Sequence, residues 1–211
     1  MRIDALGDAA YVLRELSGPP HELAARLNAE PIPGLIEAVA SYDTVGVYVE
    51  PSVFDIDRLL GVPSSSKMEM PSKKHMIPVC YELGDDFDEA ASRLGLPNES
   101  LISLHSAGTY QCFAIGFCPG FPYLGYLDDA ISGLPRRASP RVRIEPGSVA
   151  ITGRQTGIYP LPRPGGWWLI GRTPLTLVDV ADDYFPISAG DQVRFVPIST
   201  EEYEERRGQR L

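Results

Sequence analysis

The feature that most constrains this fold is a change of texture near Thr109. From there the chain runs as short Val, Ile, Phe and Trp stretches punctuated by Pro-Gly, Gly-Asp and Gly-Gly pairs. Runs of that length between turn formers cannot complete long helices and instead build an all-β sandwich or barrel. Pro146-Gly147 and Gly190-Asp191 are the clearest turns, and Val193 and Phe195 alternate with Gln192 and Arg194, which predicts a final strand with one wet face. The tail from Thr200, rich in Glu and Arg, reads as a solvated helix or a frayed end.

The first part of the chain has a different rhythm. Tyr11 to Leu16 reads as a strand, and His21 to Glu30 carries Leu23 and Leu27 at helical spacing. Leu35 to Ser41 and Thr44 to Glu50 form a hairpin around Tyr42-Asp43, Asp55 caps a short helix with Ile56, Leu59 and Leu60, and Met76 to Tyr81 is a further strand. The order βαββαβ predicts a split, ferredoxin-like unit. Gly61 to Lys74, rich in Ser, Pro and Lys, reads as a connection. Two helices follow, Phe87 to Leu94 and Glu99 to Ser106, the second with Asn98 as N-cap. The expected class is α+β, with a small ferredoxin-like domain over residues 1–82 and a β-barrel domain over 83–211.

Bulk properties exclude several functions. The 211 residues carry a net charge of -9, which repels polyphosphate backbones, and the helix pair before Thr109 is mainly acidic, so nucleic acid is not expected as a partner. Cys80, Cys112 and Cys118 lack metal or disulfide spacing and read as buried, reduced thiols of a cytoplasmic protein. Met1 to Leu16 is broken by charges and no stretch reaches the length of a membrane span, so neither export nor insertion is expected. No metal-ligand pair, P-loop or GxSxG elbow occurs.

Chemistry-bearing residues concentrate in the β half. The stretch from Gly116 to Gly125 holds Phe117, Pro119, Gly120, Phe121 and Tyr123: aromatic faces on a stiff backbone suit a planar ligand, or else simply plug the barrel end. Arg136, Arg137, Arg141 and Arg143 make a positive field able to hold a carboxylate or phosphate, or else a run of surface ion pairs. Gln155, Thr156 and Tyr159, with Arg154, place donors and acceptors between two glycines, where they can polarise an amide carbonyl, and Arg172 sits at a strand end facing the same cleft. His105 is the general-base candidate, set against the alternative of a packed, hydrogen-bonded core histidine, while His21 and His75 read as surface residues.

Four ordered motifs carry a resemblance: GFCPGFPYLGYL (116–127), LPRRASPRVRIEPGSVAI (134–151), GRQTGIYPLPRPGGWWLIGRTPL (153–175) and AGDQVRF (189–195). They resemble the family variously called the 5-oxoprolinase B subunit, allophanate hydrolase subunit 1 and sporulation-kinase inhibitor, over roughly Ile77 to Pro197. The resemblance implies a cyclophilin-like barrel and a hydrolase subunit acting on a cyclic amide. Together with a homologous C subunit and an A subunit it would couple ATP hydrolysis to the opening of 5-oxo-L-proline into L-glutamate, with no metal or biotin on this chain. Its alternatives are an allophanate or urea amide hydrolase subunit, or an inhibitor binding a sporulation-type histidine kinase. Carried over by motif, His105, Gln155, Thr156 and Arg172 would be catalytic, with Phe117, Pro119, Gly120, Phe121, Tyr123, Arg137, Arg141 and Tyr159 binding the small amide.

Overall fold

The computed structural model describes residues 1–60 and 72–211. These fall into two compact units, Met1–Ser72 and Lys73–Leu211. Most of the expected Gly61 to Lys74 connection lies outside the described residues.

In the first unit the elements are β1 (Arg2–Ala5), β2 (Ala10–Arg14), α1 (Pro20–Ala29), β3 (Leu35–Ser41), β4 (Thr44–Val49) and α2 (Asp57–Leu60). The four strands form one antiparallel sheet in the order β1-β2-β4-β3. Alternation decides which face is covered: Val45, Val47 and Val49 are buried, as are Ala38 and Ala40 of β3, and α1 turns Leu23, Ala24 and Leu27 inward. Asn28 of α1 fastens helix to edge strand, its amide pairing both backbone groups of Ala38 at 2.7 and 2.8 Å. Asp55 caps α2 through the Asp57 amide, 3.1 Å away.

The ferredoxin-like expectation does not hold here, and two strands explain why. The charged N-terminus supplies β1, a strand not expected from the sequence, whose Asp4 accepts from Arg2 and Arg14 at 3.1 and 3.0 Å. Charges that break a helix or a signal core are ordinary on an edge strand. Conversely β5 (Lys74–Val79), expected to complete the first unit, joins the second, where it runs parallel to β13 (Gln192–Pro197) over six residue pairs. Its Ile77 and Val79 are fully buried there.

The second unit continues with α3 (Phe87–Leu94), α4 (Asn98–Ala107), β6 (Tyr110–Ile115), β7 (Pro122–Gly125), β8 (Arg141–Ile144), β9 (Ser148–Thr152), β10 (Gln155–Ile158), β11 (Arg163–Gly165) and β12 (Trp168–Arg172), and after β13 ends in α5 (Thr200–Arg206). Seven strands form one sheet in the order β12-β9-β10-β7-β6-β13-β5. Its two ends meet: Cys80, just past β5, exchanges both backbone hydrogen bonds with Arg172 of β12 at 2.9 Å. That bridge brings the two ends together, so the sheet is the expected barrel, nearly closed. Strands β8 and β11 pair separately.

The barrel interior is filled by inward residues such as Ile77, Leu124, Ile151, Ile170, Val193 and Phe195, with Leu101 of α4 packed against them. Strand β13 alternates as expected, Val193 and Phe195 inside and Arg194 exposed. Buried Asp191 ties the start of β13 to that of β5, accepting from the Lys73 and Ser188 amides at 2.9 Å and contacting His75 Nε2 at 3.0 Å. His75 is therefore an interior partner rather than the surface residue expected. Helix α4 begins at Asn98 itself, with Pro97 as N-cap, and the Asn98 amide instead donates to Asp88 of α3 at 2.8 Å. Helix α5 carries a full capping box between Ser199 and Glu202. All three cysteines are buried and free, and burial pushes the Cys112 thiol up to about 12.

Candidate functional site: an aromatic shelf outside the barrel

A second apolar cluster, separate from the barrel core, comprises Cys118, Phe121, Ile144, Ala150, Tyr159, Trp167 and Leu169, with half-buried Tyr123 against it. Glycine 157 makes this shelf possible: a Cβ there would stand 2.9 Å from Phe121 Cζ and 3.2 Å from Trp167, so only a bare backbone lets the rings lie on β10. Phe121 is the hub. It meets Tyr123, Tyr159, Trp167 and Phe117 at centroid distances of 5.0, 5.2, 5.5 and 5.5 Å, all edge to face, the arrangement favoured by the ring quadrupoles.

The loop joining β6 to β7 presents these rings. The Gly116 amide closes it by donating to the Phe121 carbonyl at 3.2 Å, and Gly120, at φ +73°, turns tightly against Val178. Phe117 is held at φ +65°, which costs a bulky residue roughly 1–3 kcal/mol. Its ring is 55% exposed at the mouth of a cavity of about 60 Å³. Phe121, Tyr123, Tyr159 and Trp167 wall that cavity, together with Gly165, Gly166 and Arg136. A Cβ on Gly165 would collide with the Tyr159 hydroxyl, so this glycine too is set by close approach.

The electrostatics favour neutral phenols beside a cation. Burial raises Tyr159 to about 12, offset in part by the Trp167 amide and the Arg136 guanidinium. Tyr123 is likewise raised by burial and opposed by Arg136. Both phenols therefore remain protonated donors at neutral pH. Of the four arginines that form the sequence's positive field, three have acid partners: Arg137 and Arg141 grip Asp86, and Arg143 holds Glu145 at 2.6 Å. Arg136 has no carboxylate partner among the described residues, and it faces the cavity.

The buried Asp86 explains where the other arginines went. At the N-cap of α3, it accepts from Arg137 Nη1 at 2.6 Å, from both terminal nitrogens of Arg141 at 2.6 and 2.7 Å, and from the Leu169 amide at 2.9 Å. Asp86 thus ties the start of α3 to β12 and to both arginines, and neither Arg137 nor Arg141 lines the aromatic cavity. Trp168 sits between guanidinium groups, with Arg93 at 4.9 Å and Arg137 at 5.0 Å from its ring.

The histidine and threonine expected at the cleft are inside the barrel. His105 and Thr156 are both fully buried. Thr156 gives its hydroxyl proton to the Ala150 carbonyl at 3.1 Å and so accepts from His105 Nε2 at 2.9 Å; Nδ1 then accepts from the Tyr81 hydroxyl at 2.7 Å. The imidazole stacks on Phe195 at 4.5 Å, and burial lowers it to about 3, which keeps it neutral. Gln155 begins β10 between Thr152 and Gly125 and is not among the residues lining the aromatic cavity. Arg172 lines a different cavity. Of the expected site, then, Phe117, Phe121, Tyr123 and Tyr159 converge; Pro119 and Gly120 shape their loop, while His105, Thr156, Gln155, Arg137, Arg141 and Arg172 lie elsewhere. Arg136 belongs to the positive field expected from the sequence but not to its motif-derived binding residues, and Trp167 and the Gly165-Gly166 pair join the site without having been expected there. The Gly-Gly-Trp-Trp turn was visible, but nothing in one sequence says which face of it meets Tyr159.

No group of three or more His, Cys, Asp or Glu that could hold a metal occurs among the described residues, and none of their helices is long and apolar enough to cross a membrane.

Comparison with known proteins places this geometry. Residues 1–186 match the family described as carboxyltransferase domain, subdomain C and D. A Bacillus subtilis protein named as the B subunit of 5-oxoprolinase is 35% identical over 96% of this chain and 95% of its own length. The protein of the same name from Escherichia coli O157:H7 is 38% identical over 91% and 94%. Among solved structures, TTHA0988 superposes with a TM-score of 0.79 at 37% identity, covering 90% of this chain, which spans only 40% of that longer one. The urea amidolyase of K. lactis, 18% identical with a TM-score of 0.70, shares the fold. The chain belongs to the carboxyltransferase subdomain C and D family and, within it, groups with the proteins named as 5-oxoprolinase B subunits.

Proposed function

We propose that this chain is a cytoplasmic subunit of an ATP-dependent 5-oxoprolinase, which opens 5-oxo-L-proline to L-glutamate together with a homologous C subunit and an A subunit. The observation that carries the reading is Arg136, a guanidinium without a carboxylate partner among the described residues, at an aromatic cavity in a chain whose relatives bear that name over nearly their whole length.

The substrate's chemistry fits the shelf. 5-Oxoproline is a flat five-membered lactam with one carboxylate. The edge-to-face rings offer a surface for the lactam, and Arg136 offers the fork that carboxylates prefer. At about 60 Å³ the cavity is small against the roughly 300 Å³ of an ordinary ligand site, so it takes one end of the substrate and leaves the rest at the mouth beside Phe117. A site of this kind is completed by a partner subunit.

Opening the ring puts a water oxygen on the lactam carbon, breaks the C–N bond and delivers a proton to the departing nitrogen. Negative charge develops on the lactam oxygen along the way, and donors already in place for it lower the barrier. The protonated phenols of Tyr123 and Tyr159, both on the cavity wall, have the chemistry such a donor needs. His105 and Thr156 receive no step in this scheme because both are sealed and mutually satisfied. ATP supplies the driving force to the assembly as a co-substrate.

The test is reconstitution of the chain with its A and C partners, following glutamate formation and ATP hydrolysis with and without 5-oxo-L-proline. Turnover that needs this chain is expected. A stable complex that hydrolyses no ATP when given 5-oxo-L-proline would sink the reading.

A further inference from the structure

We propose that a second cavity of the barrel unit, centred on Arg172, binds a small carboxylic acid with an apolar body. This site is independent of the lactam chemistry above. At about 580 Å³ it lies within the range of ordinary small-molecule sites, and it shares no lining residue with the aromatic cavity.

The case rests on Arg172 and on what surrounds it. Both backbone groups of Arg172 are tied to Cys80 at 2.9 Å, and the next amide, that of Thr173, bonds the Gly147 carbonyl at 2.8 Å. The residue is therefore mounted on the bridge that closes the barrel, which fixes its base before any ligand arrives. Its Nε is buried with no hydrogen-bond partner, and no carboxylate lies within ion-pair distance among the described residues. A half-buried guanidinium in that condition has lost water without gaining an acceptor, a state that costs free energy unless its terminal nitrogens are engaged.

Neighbouring charges do not supply the acceptor. Glu145 on the cavity wall is held by Arg143 at 2.6 Å, and Arg207 is held by Glu204 at 3.3 Å. The Thr176 hydroxyl is directed to the Gly208 carbonyl, and that of Thr173 accepts from the Leu175 amide. Arg172, whose field also reaches the Glu145 carboxylate, remains without a hydrogen-bonded acid partner among the described residues. Beside it Pro146, Pro160, Leu161, Pro174, Leu177 and Val178 give the otherwise polar wall an apolar portion. A guanidinium next to such side chains recognises an acid head on a short hydrocarbon body, since burying the body contributes about 25 cal/mol per Å² while the guanidinium fixes the head.

The experiment titrates the full chain with hexanoate by calorimetry, with hexanamide as a neutral isostere. Saturable binding of hexanoate is expected, weakened at least tenfold in Arg172→Gln, unchanged in Arg194→Gln, an exposed arginine that lines neither cavity, and absent for hexanamide. Equal binding by Arg172→Gln, or of hexanamide, overturns the proposal. Because Arg172→Gln could disturb the barrel closure, a second measurement uses the unaltered chain: phenylglyoxal labelling, read by peptide mass, should slow at Arg172 in the presence of hexanoate while labelling of Arg143 does not. Equal Arg172 labelling with and without hexanoate also overturns it.

Discussion

The inside of the barrel and the shelf on its outer face are built from the same residue types and put them to opposite uses. Inside, Tyr81, His105, Thr156 and the Ala150 carbonyl form one chain of hydrogen bonds in which each donor meets an acceptor. Outside, Tyr123, Tyr159, Phe121 and Trp167 line a cavity together with Arg136, which has no carboxylate partner among the described residues. The lesson is about satisfaction rather than composition. A buried polar group that is fully answered rigidifies a core, whereas an exposed cation without an ion-pair partner at the mouth of a cavity is available to a ligand.

The same contrast divides the arginines, and there the largest effect is expected. Asp86→Ala strips the shared acceptor from Arg137, Arg141 and the Leu169 amide at once, leaving Arg141 unpaired and Arg137 with only Glu89, 3.6 Å away. Breaking a buried pair by removing one partner costs roughly 3–5 kcal/mol, and urea unfolding of the barrel unit should show a loss of that order. A loss below about 1 kcal/mol would mean the two arginines are not committed to Asp86, and would return them to the ligand-binding groups.

His105 gives the next test. Its folded value of about 3 lies below the ordinary 6.5, so the unfolded chain binds the extra proton first. The stability it contributes is complete above about pH 6.5 and is lost as the pH falls toward 3, at up to about 1.4 kcal/mol per pH unit, or about 2 kcal/mol between pH 6.5 and 5. Thermal melts across that window should show this decline, and His105→Gln should flatten it. A catalytic, solvent-reached histidine would titrate near 6.5 and leave stability level, so a flat profile in the unaltered chain would break the contrast.

How far these contacts could be foreseen depends on their range along the chain. The alternation of Val193 and Phe195 and the turn pairs after Thr109 report local geometry, and they gave the barrel. The ring-rich loop from Phe117 to Tyr123 needed only its own composition to mark a site. Strand β5 was visible as a strand, but its partner β13 lies more than a hundred residues away, so its membership of the second unit was not visible. The arginines failed for the same reason. Arg136 and Arg137 are adjacent and chemically identical, and what separates them is Asp86, 51 residues upstream of Arg137. Likewise nothing near His105 announces Thr156, also 51 residues off, which together with Tyr81 converts the expected base into a core group.

Arg136 itself provides the smallest and most discriminating effect. It is exposed and forms no ion pair among the described residues, so Arg136→Gln should leave the unfolding midpoint within about 0.5 kcal/mol of the parent, as surface changes do. In the reconstituted assembly the same change should weaken use of 5-oxo-L-proline about tenfold, close to 1.4 kcal/mol, and chiefly in KM, because a carboxylate anchor remote from the lactam carbon contributes binding to ground and transition states alike. A drop confined to kcat would move Arg136 from the substrate's carboxylate to its reacting oxygen. No kinetic change at all would remove the one charged group that ties the shelf to an acidic lactam, and the aromatic cluster would then be a packing device like the barrel interior beside it.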